Sequence, residues 1–202
     1  MKIKLLILAA ALPVFSVAAA ETNSTPEQVE AKYAAAIENR TADILKALAL
    51  TDTNTAAKVH DAIMAQYRSL RAWHDEDDAK LKAAKSDTNT VAQIRASLKT
   101  LHEEFLSTLA EDLAPAQIET VKDKMTYGKV QFTFAGYVAQ YPNLSETNKT
   151  EILRLLKEAR EEAMDGGSAA EKTAVFQRFK GKINNYLSKQ GLHPEKSKPV
   201  TQ

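Results

Sequence analysis

Val91, Ile94, Leu98, Leu101, Phe105 and Leu109 step along the chain by three and four. An α-helix gathers residues at that spacing onto one face, whereas a strand would need a period of two. A matching stripe precedes it: Val59, Ile63, Tyr67, Leu70, Trp73 and Leu81. Each stripe must bury its apolar face, and only a short polar turn near Ser86 separates them. The two segments are therefore expected to pack as a long antiparallel helical hairpin. Only six Gly and six Pro occur in 202 residues, and the prolines sit at segment edges. Both facts favour helix elsewhere. The expected fold is all-α, a bundle of about six helices.

Helix starts are written into the sequence. In "STPEQ", Thr25 can cap, Pro26 suits the first helical position, and Gln28 completes a capping box. "SAAE" repeats the device with Ser168 and Glu171. "LAPAQ" places Pro115 correctly but leaves Ala114 at the cap, which costs about 1 kcal/mol. "TDTNT" and "SDTNT" each read as a polar turn feeding a helix, and their likeness is capping chemistry rather than a repeat. A fifth helix is expected over 145–165, stopped by Gly166 and Gly167. A sixth is expected over 169–190, stopped by Gly191. Between the fourth and fifth, Val130, Phe132 and Phe134 alternate. Alternation suggests a short extended piece there, followed by a short helix carrying Tyr137 and Tyr141.

The chain opens with "MKIKLLILAAALPVFSVAAAE". Lys2 and Lys4, the apolar run Leu5–Ala20 and the small residues at 18–20 have the layout of a cleaved export signal over residues 1–20. The run has 16 residues, short of the roughly 20 a spanning helix needs, so no stable membrane anchor is expected after cleavage. The expected destination is the periplasm or the cell exterior. Residues 21–192 are expected to form a single helical domain and residues 193–202 a disordered tail. There is no cysteine, which excludes disulfides and thiol catalysis.

Removing Lys2 and Lys4 leaves 25 basic residues against 26 acids. That balance lacks the positive footprint of a nucleic-acid binder. Charge is nevertheless uneven, since Lys172–Gln202 holds seven basic residues and one acid. A solvated basic tail and a site for a local anionic partner both fit.

Chemistry-bearing side chains concentrate in "LRAWHDEDDAKLK". With Leu70 centred on the buried face, Trp73, His74 and Asp77 fall on or beside that face, and Asp75 and Glu76 point to solvent. The hairpin brings His102 roughly opposite Leu70, about one turn from His74. His74, Asp77 or Asp78, and His102 could thus meet. Zinc needs three or four such ligands, and "HxxD" alone is thin support. A buried polar contact between histidine and carboxylate is the commoner outcome. No metal and no cofactor are therefore expected, with His74, Asp78 and His102 kept as an outside metal candidate.

Arg160 falls on the apolar face of the fifth helix, beside Leu156. A buried guanidinium must find acceptors, by default a structural ion pair, otherwise an anionic or sugar ligand. The sixth helix carries Phe176, Phe179, Ile183 and Leu187 on one stripe. Asn184, Asn185 and Tyr186 offer amides and a ring that suit either sugar hydroxyls or helix–helix hydrogen bonds. No phosphate loop, nucleophile elbow, HExxH or EF-hand loop occurs, and no carboxylate pair stands out for acid–base work.

Three stretches carry a resemblance. They are "YPNLSETNKTEILRLLKEAREEAMDGGSAAEKTAVFQRFKGKINNYLSKQG", "QYRSLRAWHD" and "VKDKMTYGKVQFTFAGY". Together they are similar to a secreted bacterial family, Domain of Unknown Function 3826. Thr173 and Lys182 stand where that family often shows His and Arg. The resemblance implies secretion and a link to carbohydrate use, with no catalytic residues to transfer. The leading expectation is an exported, non-enzymatic carbohydrate-binding or accessory protein of a glycan-use system. Its candidate contacts are Trp73, His74, Arg160, Asn184, Asn185 and Tyr186. A periplasmic helical chaperone or stress sensor is the alternative, and a glycan-active enzyme comes third.

Overall fold

The computed structural model describes residues 25–194. The expected export signal lies outside these residues, as does the tail beyond Pro194. Seven helices follow in order: α1 Pro26–Leu48, α2 Thr53–Ala83, α3 Thr88–Asp112, α4 Pro115–Met125, α5 Lys129–Gln140, α6 Glu146–Met164 and α7 Ala169–Lys189. Among the described residues there is no strand, and the chain is an all-α bundle.

The local signals act as their chemistry requires. Thr25 Oγ1 accepts from Gln28 N at 3.3 Å, and Thr25 N donates to the Gln28 side chain at 3.0 Å. Asp52, Asp87, Ser145 and Ser168 cap α2, α3, α6 and α7 by accepting from a first-turn backbone N–H, without the reciprocal bond that the box expected at Ser168 and Glu171 would add. At α4 only half the box forms, because Ala114 can donate its N–H to Gln117 but has no side-chain acceptor. Gly191, at φ 72°, turns the chain after α7.

The extended piece expected around Val130–Phe134 is instead helical and merges with the short helix expected after it into α5, giving seven helices where about six were expected. Val130, Thr133 and Tyr137 are buried and follow helical spacing. Phe132 broke that reading: it is 80 % exposed, so the alternation came from an outward phenylalanine rather than from a pleated face.

α2 and α3 form the long hairpin, and Trp73 Nε1 donates to Ser97 Oγ across it at 2.9 Å. Burial stops early, however. Trp73 is the last buried residue of α2 and Phe105 the first of α3. Leu81, Val91, Ile94 and Leu98 are only half-buried. The tip of the hairpin thus stands beyond the core.

The apolar interior has two parts. Ile37, Ile44, Ile63, Leu109, Val121 and Met125 belong to one cluster, built by α1–α4. Ile152, Leu156, Phe176, Phe179, Ile183 and Leu187 belong to the other, built by α5–α7. Met164, at the end of α6, packs into the first cluster. Where the two meet, α4 and the end of α6 place charged side chains rather than apolar ones.

Candidate functional site

That charged seam contains several of the residues singled out above. Arg160 is 2 % exposed. Its guanidinium donates to Asp123 at 2.7 Å, Glu119 at 2.6 Å and Glu161 at 3.2 Å. Burial works against its charge, but Asp123 and Glu119 outweigh burial and hold it charged. Its Nε has no acceptor among the described residues. Lys122 donates to Glu161 at 2.8 Å. Burial alone would raise the Glu161 carboxyl, yet the nearby His102 ring and hydrogen bonds from Lys122 and Arg160 bring it down to about 2.

His74 and His102 converge on Asp165, the residue that ends α6. His74 Nε2 donates to the Asp165 carbonyl at 2.7 Å, while Nδ1 faces Asp78 at 3.2 Å. His102 Nδ1 donates to the Asp165 carboxylate at 2.9 Å, with Glu161 at 3.6 Å from Nε2. The bond to Asp165, then the nearby Glu161 carboxylate, raises His102 to about 9. Asp77 instead pairs with Lys80 at 2.9 Å. Among the described residues no three His, Asp or Glu side chains are placed to hold a metal ion. His74 and Asp78 pair with each other, while His102 turns to Asp165 instead.

The other nominated residues lie apart. Trp73 is buried, edge-on to the His74 ring at 4.9 Å between centroids. Asn184 accepts from the Tyr137 hydroxyl at 2.8 Å. Tyr186 donates to Asn148 at 2.9 Å on another side of α7. Asn185 is exposed. These six side chains do not share one cavity.

The concave feature best furnished for a ligand is a cleft reached from both halves of the molecule. Its wider part, about 450 Å³, is lined by Arg40, Asp43, Tyr67, Asp123, Tyr127 and Gln131, among others. Its narrower part, about 240 Å³, adds Tyr33, Arg71, Gly167 and Lys172. Arg40, Tyr67 and Tyr127 line both parts. Helix geometry explains the convergence. Tyr33 and Arg40 are two turns apart on α1, and Tyr67 and Arg71 one turn apart on α2. Tyr33 donates to the Tyr67 carbonyl at 2.7 Å. The Arg71 guanidinium lies 4.2 Å from the Tyr33 ring centre, and Arg40 lies 6.0 Å from that of Tyr67. Burial pushes the Tyr67 hydroxyl up to about 12.

Tyr127 joins α4 to α5 with φ 60° and is followed by Gly128 at φ 62°. A left-handed conformation costs a non-glycine residue about 1–2 kcal/mol. That strain buys an outward aromatic ring at the rim, 46 % exposed. The opposite wall is the α6–α7 turn. A methyl group on Gly167 would sit 2.7 Å from His74 Cδ2, so only glycine lets this backbone pack on the imidazole. His74 thus supports the wall through its ring and through the Asp165 carbonyl. Lys172 is 4 % exposed and donates to the carbonyls of Ala163 and Met164 at 2.9 and 2.8 Å. Burial lowers its ammonium to about 8.

Tyr33, Arg40, Tyr67, Arg71, Tyr127 and Lys172 were not nominated for a site from sequence, and Tyr67 was placed only in the apolar stripe of α2. The available signal was pairing at helical spacing of a tyrosine with an arginine, twice, on consecutive helices. No curated protein matches the chain. The family described as Protein of unknown function (DUF3826) matches residues 34–199, a span that includes every cleft residue named here except Tyr33, and the chain belongs to that family.

Proposed function

We propose that the protein is an exported, non-enzymatic carbohydrate-binding component of a bacterial glycan-use system, and that the cleft is its binding site. The observation that carries this reading is the trio Tyr33, Tyr67 and Tyr127 gathered with Arg40 and Arg71 around one concavity. Sugars offer apolar C–H faces and rings of hydroxyls. Tyrosines supply flat faces for the first and polar tips for the second. Guanidinium groups bond paired hydroxyl oxygens through a fixed fork of donors. Strain held at Tyr127 supports a role for that ring beyond packing. Export rests on the charged and apolar pattern of residues 1–20, and a glycan context on the family resemblance.

Titration calorimetry against a panel of plant and host polysaccharides tests the proposal. Binding by the parent protein that is lost in Tyr127→Ala and Tyr33→Ala is the expected result. No binding to any member of the panel refutes it. A periplasmic chaperone is a second reading, favoured by Phe132 and Val138, which α5 leaves exposed. Suppression of client aggregation that Phe132→Ser removes would support that reading instead.

A further inference from the structure

We propose that the narrow end of the cleft receives the carboxylate of an acidic sugar, a uronic acid residue, gripped by Arg40, Lys172 and the Tyr67 hydroxyl. The inference rests on the carbohydrate reading above and specifies its ligand class.

Three cations and no acid line the narrow part of the cleft. The charge of Arg71 is already matched by Glu30 at 2.8 Å. Arg40 is not matched. Its contact is with the Tyr67 ring, and no carboxylate among the described residues lies within ion-pair distance of it. Lys172 is nine-tenths buried, and its bonds to Ala163 and Met164 occupy two of its three donors. Neither acceptor carries a formal charge. A buried ammonium without a carboxylate partner is costly, and an incoming anion would relieve that cost. Tyr67 is 8 % exposed, lines both parts of the cleft, and its hydroxyl has no acceptor among the described residues.

The Gly167 amide of the α6–α7 turn is not part of the grip. Gly167 N donates to Glu171 at 3.0 Å and is already satisfied. The wide part is mixed in charge, with Asp43 and Gln131 available to accept from and donate to hydroxyls beside Arg40 and Lys124. Its other acid, Asp123, is held by Arg160. Acids line only the wide part, which orients a sugar acid with its carboxylate toward Lys172 in the narrow part. A volume of about 240 Å³ equals about eight water volumes, room for one sugar ring.

The test pairs each acid with its own neutral derivative. Short oligomers of galacturonate, glucuronate and mannuronate, and their methyl esters, are titrated calorimetrically into the full chain. At least one acid is expected to bind about tenfold or more tightly than its ester, and to weaken as salt is added. Arg40→Gln, on an exposed side chain, is expected to lose about tenfold for the acid and little for the ester. Lys172→Met, which removes a buried charge, is expected to erase the same preference. Equal binding of acid and ester by the parent protein overturns the inference and leaves the carbohydrate reading standing. Binding of none of the acids or esters overturns the inference, and the broader polysaccharide panel then decides the carbohydrate reading.

Discussion

Replacing His102 with glutamine removes a titrating group from the charged seam while keeping an amide that can still donate to Asp165. His102 is raised from 6.5 to about 9 by Asp165 and then Glu161. Its side chain is 15 % exposed, and that of Asp165 17 %. Such a rise corresponds to about 3 kcal/mol of stability when the ring is fully charged. Glu161 is more open to solvent, which trims the figure to about 2 kcal/mol. The folded-state value lies above the unfolded one. The contribution is therefore complete below pH 6.5 and disappears as pH rises through about 9. Lys172 works in the other direction. Its folded value of about 8 lies below the ordinary 10.5, so the unfolded chain binds more protons in between and stability recovers as pH climbs. The parent curve mixes both effects, and only its difference from His102→Gln isolates the imidazole. Urea unfolding followed by far-ultraviolet circular dichroism from about pH 6 to about pH 10 measures that difference. The parent should lead by about 2 kcal/mol at the acid end and converge with the variant at the alkaline end. A gap that stays constant with pH, or no gap at the acid end, would refute the assignment of charge to this ring.

Arg160→Met strands Asp123 and Glu119, whose side chains are 30 % and 43 % exposed, and should cost about 2–4 kcal/mol, below the upper range for a fully buried pair. Thermal unfolding would show this as a fall of roughly 5–15 °C. Gly167→Ala drives a methyl group to 2.7 Å from the His74 ring and should destabilise by about 1–3 kcal/mol in the same assay. Tyr127→Gly relieves a left-handed tyrosine at φ 60°. It should leave stability unchanged or higher by about 1 kcal/mol, while sugar binding by calorimetry is lost.

The parts of the fold legible in the sequence are those decided within a few residues. Thr25 with Gln28, and Ser168 with Glu171, need only their own turn, and both caps form. The α2–α3 hairpin follows from two stripes and a short link. Residues 127–142 misled because one outward side chain, Phe132, imitated a strand. The stripe also overstated the burial of Val91, Ile94 and Leu98. Periodicity tells which face turns inward but not whether another helix is there to cover it. The seam was half-legible. Helical angles placed His74, His102 and Arg160 at the edge of the core, yet their partners Asp165 and Asp123 come from α6 and α4. Those pairings depend on how the two halves dock. The cleft was least legible, since Tyr33, Tyr67, Tyr127 and Lys172 come from four separate segments and meet only in three dimensions.

The division of the interior into two apolar clusters has a consequence for how an occupied cleft would behave. Tyr67 belongs to the first cluster and Tyr33 packs against it, while Lys172 lies in the first turn of α7, which contributes to the second. A molecule held between them spans the joint and acts as a splint. Prying the two halves apart would first require expelling it, at a free-energy cost set by its concentration relative to its dissociation constant. Amide protons of α7 should then exchange more slowly when the cleft is filled, although α7 supplies only one edge of it.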